Sequence, residues 1–284
     1  MTERHPGNKA HLERLIEHWS RDEATTATAG RLRRLVCVSV LAEMLGGLDD
    51  GDAAHLAFKG GASMELRFGP DARSSRDVDA LIDIDFDHAF AQVTLRLATR
   101  WQGFTGTVGE RTEILRVGIV PAPQRCKIKL SYLDRPFGTL DFEVSRAEAG
   151  SFVLLETIEN SVELERVQLG PAHDVVVLSI AYQIAQKLHA CTEIPANGTN
   201  ARVHDLYDIL LLEALARSAG LERTRAACED TFSHRQRHAW PPALPDWDEW
   251  PMLWRNLAIP SDARIPYDEA RRDIELLIAA IAAA

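Results

Sequence analysis

Two stretches decide the fold: Phe58-Lys59-Gly60-Gly61-Ala62-Ser63-Met64-Glu65-Leu66-Arg67-Phe68 and, after a short spacer, Ser74-Ser75-Arg76-Asp77-Val78-Asp79. The apolar run Leu56-Ala57-Phe58 ends at paired glycines, which reads as a strand closing on a turn that takes positive φ. Backbone without side chains lets a phosphate approach closely. Ala62 to Phe68 reads as a helix whose first amides and dipole favour an anion, with the Ser63 hydroxyl and the Lys59 cation beside them.

Asp77-Val78-Asp79 runs into Ala80-Leu81-Ile82-Asp83-Ile84, an apolar and β-branched strand pattern. Alternate residues of a strand share a face, so Asp77 and Asp79 point the same way, about 7 Å apart along the chain. Two such carboxylates repel unless a cation intervenes. A hard cation such as Mg²⁺ suits them; the alternative is an edge strand carrying solvated acids. Further along, Leu140-Asp141-Phe142-Glu143-Val144 places Asp141 and Glu143 on one strand face. A third carboxylate on a neighbouring strand is what two-metal phosphoryl transfer requires, and either acid fills that role. A solvent-facing acid pair is the competing explanation.

Gly61-x-Ser63, a spacer and Asp77-x-Asp79 resemble the signature of the polymerase-beta-like nucleotidyltransferases. KGGAS with a downstream RSSRDVD resembles, more narrowly, the AbiEii/AbiGii toxin family and its mycobacterial MenT group. Two later strings fit the same resemblance: Ile184-Ala185-Gln186-Lys187-Leu188-His189-Ala190, and Arg202-x-His204-Asp205-Leu206-x-Asp208. The resemblance implies an α+β fold, a nucleotidyltransferase lobe with a mixed β-sheet followed by an α-helical lobe, closing on a nucleoside triphosphate (NTP). It implies that Asp77 and Asp79 hold Mg²⁺ in a two-metal site with Glu143, preferred to Asp141, as the third acid. Lys187 and Asp208 join Asp77 and Asp79 as catalytic residues, with Lys59, Gly60, Gly61, Ser63, Ser75 and Arg76 at the nucleotide. The activity implied is that of a toxin moving NMP from an NTP to the 3′ end of tRNA, blocking aminoacylation and translation, and countered by a cognate antitoxin. A phosphate on Ser75 would compete with the nucleotide for the cations that Asp77 and Asp79 hold. Rival readings are a small-molecule, antibiotic-type nucleotidyltransferase and a non-catalytic nucleotide-binding module.

Composition bounds these readings. In 284 residues, 42 acids against 32 Lys and Arg give a net charge of −10, which opposes non-specific binding to nucleic acid. A polyanion must find a local basic patch, and the candidates are Arg31, Arg33 and Arg34; Arg67, Arg73 and Arg76; and Arg125, Lys127 and Lys129, the last set being the choice for an acceptor backbone. Cys37, Cys126, Cys191 and Cys228 are scattered without metal-like spacing, so buried free thiols are expected. The first residues lack an apolar targeting core, and no apolar run is long enough to span a bilayer. A cytoplasmic protein without membrane or DNA as partner is expected.

Periodicity predicts helices over His11 to Trp19, Leu32 to Leu48, Asp87 to Trp101, Val175 to Glu193, Ala201 to Ala216, Leu221 to His234 and Tyr267 to Ala283. An acidic turn, Asp49-Asp50-Gly51-Asp52, follows the second. Strands are predicted as a pair over Phe104 to Val120 with a turn near Gly109, then Cys126 to Tyr132 and Phe137 to Val144. Poor periodicity from Glu148 to Pro171 suggests a boundary, dividing the chain at 1–165 and 166–284. Gln183 and Lys187, at i and i+4, are expected off the apolar stripe of their helix. Asp205 in a first turn is explained by the dipole alone. Trp240, Trp247, Trp250 and Trp254 are expected to fill gaps, with base stacking as the alternative.

Overall fold

The computed structural model describes residues 5–23, 25–46, 55–115, 121–170, 172–196, 198–260 and 264–284. The acidic turn at 49–52 and the expected strand residues at 116–120 lie outside them. The chain forms two compact units, one of Met1–Ala147 with Thr157–Val177, the other of Glu148–Glu156 with Leu178–Ala284.

Unit 1 starts with helices α1 (Lys9–Trp19) and α2 (Ala29–Leu45), capped by the side chains of Asn8 and Thr28, which accept from His11 N and Arg31 N. Then come β1 (Leu56–Lys59), α3 (Gly60–Phe68), β2 (Asp77–Ile82), α4 (Phe86–Ala98), β3 (Phe104–Val108), β4 (Thr112–Glu113), β5 (Gln124–Tyr132) and β6 (Arg135–Arg146). Strands β7 (Leu155–Ile158) and β8 (Val175–Leu178) follow. The sheet runs β3-β5-β6-β2-β1-β8-β7, with β4 pairing β5. It is mixed: β2 is antiparallel to β1 and parallel to β6, while β1 is parallel to β8.

Period-two alternation gives the central strands two unlike faces. Val78, Ala80, Phe142, Val144, Cys126, Ile128 and Leu130 are buried in one core with Leu12, Leu35, Leu41 and Phe90 from α1, α2 and α4. The opposite face carries the charges.

The basic cluster on α2 serves the fold. Arg31 and Arg34 pair with Glu65 of α3, whose carboxylate is fully buried and whose Oε1 also accepts from Ser75 N at 3.2 Å. Arg33 pairs with Glu13 of α1 at 2.9 Å. Deleting one partner of a buried pair such as Arg31–Glu65 costs about 3–5 kcal/mol, so Arg31 and Arg34 are held in place by Glu65, while the partly exposed Arg33 is tied to Glu13.

Unit 2 holds α5 (Ile180–Thr192), α6 (His204–Ala219), α7 (Leu221–Arg235), α8 (Trp250–Arg255) and α9 (Tyr267–Ala283). The single helix expected over Val175 to Glu193 is corrected to a strand and a helix. Val175-Val176-Val177 is β-branched and joins the sheet as β8, and Ser179 then caps α5 by accepting from Tyr182 N. Short α8, which the periodicity did not predict, buries Trp250 and Trp254, whose indole nitrogens donate to Asn200 O at 2.5 Å and Ile265 O at 2.9 Å. These two tryptophans fill gaps. Among the described residues all four cysteines are free and buried, and no helix is long and apolar enough to cross a membrane.

Candidate functional site

The charged face of unit 1 follows from register. Asp77 lies opposite Asp141 and Asp79 opposite Glu143 across β2 and β6, while Arg125 and Lys127 of β5 lie opposite Glu143 and Asp141. Lys59 of β1 lies opposite Asp79. Partners in register share a face, so four carboxylates and three cations meet on one surface. The acids are not equivalent. Glu143 is buried, 6 % exposed, whereas the Asp141 side chain keeps 40 % of its surface in solvent.

Two acids share one cation and a third has its own. The Arg125 guanidinium ion-pairs with Glu143 and lies 3.7 Å from Asp77 Oδ2, so it spans carboxylates from two strands. Lys127 Nζ holds Asp141 alone, at 2.8 Å. Partial burial first, then the Glu143 charge, push the Asp77 carboxyl above its ordinary range, and Arg125 opposes this. A face with this acid excess favours a cation.

The glycine turn lies against the acids. Gly60 has φ of +57°, and a Cβ there would stand 2.7 Å from Asp79 Oδ2. Gly61 is needed for a separate reason, since its Cβ would fall 2.3 Å from Ser75 Oγ. The turn therefore admits both the metal-ligand candidate and the 74–76 loop only as glycine. Ser63 is fully buried and its hydroxyl donates to Gly60 O at 3.0 Å, so that hydroxyl supports the turn. Ser75 Oγ donates to Asp77 O at 3.0 Å, Arg76 is exposed, and Lys59 Nζ donates to Ser145 Oγ at 2.6 Å. The side chain of Lys59, the N-cap residue of α3, makes no capping hydrogen bond.

Oxygen-only donors suit a hard cation such as Mg²⁺, so Asp77, Asp79 and Glu143 fit the metal that the motif implies. Among the described residues no three His, Cys, Asp or Glu side chains are already arranged to hold one. Arg125 stands between two of these three.

Unit 2 contains the other expected residues. Lys187 on α5 is 6 % exposed, which corrects the expectation that it lies off the apolar stripe; almost every residue of α5, Gln183 included, is buried. Its ammonium lies 2.5 Å from Asp208 Oδ2 and 3.4 Å from Asp205 Oδ1, both on the first two turns of α6. Arg202 Nε reaches Asp205 Oδ2 at 2.6 Å. Burial alone would raise the Asp205 pKa, but Lys187, Arg202 and His204 together hold it well below the usual carboxylate range. Asp205 therefore does more than complement a dipole: it is half of the counter-charge to Lys187. Asp77, Asp79, Glu143, Lys59, Gly60, Gly61, Ser63, Ser75 and Arg76 belong to unit 1, Lys187 and Asp208 to unit 2.

Two features escaped the sequence reading: Glu65, which ties α2 to the loop before Asp77, and the Arg125 bridge. A signal for Glu65 existed in Arg31 and Arg34, an i, i+3 basic pair on a helix whose remaining residues are mostly apolar. Arg125 becomes legible only through strand register.

Residues 44–279 match the family model described as the nucleotidyl transferase AbiEii toxin, Type IV TA system. Among solved structures the chain is similar to MenT4, a nucleotidyltransferase toxin from Mycobacterium tuberculosis H37Rv, at 18% identity and TM-score 0.51, covering 95% of this chain and 98% of that one. It is also similar to an antigenic nucleotidyltransferase-like protein from Paracoccidioides brasiliensis, at 18% identity and TM-score 0.40, over 73% of this chain and 89% of that one. A further match is the antibiotic-resistance factor ANT(2'')-Ia, with 19% identity, TM-score 0.35 and coverage of 68% and 89%. At 18% identity the likeness to MenT4 is one of fold. No curated protein matched the sequence.

Proposed function

The chain belongs to the AbiEii nucleotidyl transferase toxin family of Type IV toxin–antitoxin systems, and from that premise we propose that it transfers NMP from an NTP to a hydroxyl at the 3′ end of tRNA, releasing pyrophosphate. Aminoacylation of that tRNA is then blocked and translation stops. The observation carrying this reading is the acid face: Asp77, Asp79 and Glu143 on paired strands, beside the glycine turn that opens α3.

Asp77, Asp79 and Glu143 would hold Mg²⁺, which when bound polarises a phosphoryl oxygen and lowers the pKa of an attacking hydroxyl. Lys59 and the amides following Gly60 offset negative charge on the nucleotide phosphates, the main protein contribution in phosphoryl transfer. Ser75 and Arg76 lie on the loop that enters β2, where the polyphosphate is to be bound. In unit 2, Asp208 and Asp205 orient the Lys187 ammonium, whose proposed role is a phosphate contact. Lys127 and Lys129 are exposed on the charged face of β5 and suit a polyanionic acceptor, which the net charge of −10 would otherwise repel. A cognate antitoxin is the protein partner and the cytoplasm the compartment; neither membrane nor DNA enters this reading.

The test is incubation of the purified chain with each α-labelled NTP, Mg²⁺ and total tRNA. Label at tRNA 3′ ends is expected. Label confined to small molecules, or absent with every NTP, would overturn the proposal and favour an antibiotic-type transferase or a binding module respectively.

A further inference from the structure

Lys127 and Arg125 are neighbours on the same strand face, two residues apart, and they treat the acids differently. Lys127 holds one carboxylate, Asp141, with 61 % of its side chain exposed. Arg125 reaches Glu143 on the adjacent strand and Asp77 on the strand beyond it, with 44 % exposed. A planar guanidinium presents several donors in a fixed fork and can serve two carboxylates at once. Those carboxylates are two of the three assigned above to metal. A cation coordinated by Asp77 and Glu143 needs the oxygens that Arg125 contacts, and the two positive charges repel at that range.

We propose that Arg125 is the built-in counter-cation of the acid face, competing with the divalent metal for Asp77 and Glu143 and thereby setting how tightly the face holds metal. Displaced Arg125 remains on the exposed side of β5, beside Lys127 and Lys129, on the face an anionic substrate would meet. The inference rests on the metal-holding role proposed for the three acids.

The test is calorimetric titration of Mn²⁺ alone into the full chain and into Arg125→Gln, Arg125→Lys, Lys127→Gln and Asp79→Asn, with circular dichroism establishing that each is folded. Arg125→Gln is expected to bind Mn²⁺ about tenfold more tightly than the unaltered chain, and Lys127→Gln to stay within about twofold, because field effects at an exposed site are small. Arg125→Lys keeps the charge but loses the fork, so it should fall between the unaltered chain and Arg125→Gln. That result separates competition by contact from a change in field. Wild-type affinity in both Arg125 variants, or an equal gain in Lys127→Gln, overturns the inference while leaving the metal site intact if Asp79→Asn still weakens binding. Mn²⁺ binding that is absent throughout, or unaffected by Asp79→Asn, overturns the metal site and the inference together.

Discussion

Arg125 with Glu143 and Lys187 with Asp208 bring the same kinds of charge together in different surroundings. The first pair lies on a sheet face where Arg125 is 44 % exposed and acids outnumber nearby cations. The second lies inside a helical unit, where Lys187 keeps 7 % of its side chain exposed and Asp208 none. A pair whose cation is this exposed is screened by water and can exchange partners, although Glu143 itself is buried. In a buried one, each charge is stable only because the other is there. The open face is therefore suited to trading partners with a metal and a nucleotide, and the buried pair to holding one geometry.

The largest effect on this contrast is expected from Lys187→Met, which removes the ammonium between Asp205 and Asp208 and leaves Asp205 to Arg202. A loss of about 3–5 kcal/mol is expected in urea unfolding. A stable Lys187→Met protein that fails only in nucleotide use would move Lys187 from the closed class to the open one. Gly60→Ala comes next: a non-glycine residue at φ of +57° costs about 1–2 kcal/mol, and its Cβ pushes on Asp79. Melting and Mn²⁺ affinity should fall together. Unchanged values would mean that the turn is free to reshape.

The pH dependence of unit 2 is a third expectation. Burial, then Arg235 and His238, push the buried His189 down to about 3. The unfolded chain binds a proton there from about pH 6.5 downward, while the native imidazole stays neutral. Stability is thus fully present above pH 6.5 and falls as pH drops toward 3. Asp205 acts in the same direction at lower pH, because its depressed carboxylate contributes above about pH 4 and loses that contribution on further acidification. The melting temperature is expected to be lower at pH 5 than at pH 7, by a smaller margin in His189→Phe; an equal margin would exclude His189 as a source. The smallest change is expected from Lys127→Gln, within about 1 kcal/mol, measured by urea unfolding.

The open region was more legible in the sequence than the closed one. Strand alternation put Asp77 with Asp79, and Asp141 with Glu143, on common faces, and the double glycine marked the turn; these are local patterns that survive folding. Register between β5, β6 and β2 is not local. It alone puts Arg125 against two acids, and it separates the buried Glu143 from the more exposed Asp141. In unit 2 the apolar stripe misled, because α5 is buried nearly all round and its lysine is carried inside by acids on α6. Val175 to Leu178 was absorbed into a helix because a short apolar run has no period of its own. A parallel partner in β1 decided it.

The transfer is assigned to the acid face of unit 1. Asp79→Asn tests this assignment most directly, with labelled-nucleotide incorporation into tRNA and melting temperature measured on the same preparation. Incorporation at background and a melting temperature within about 3 °C of the unaltered chain are expected. Near-normal incorporation by the folded variant would contradict the assignment.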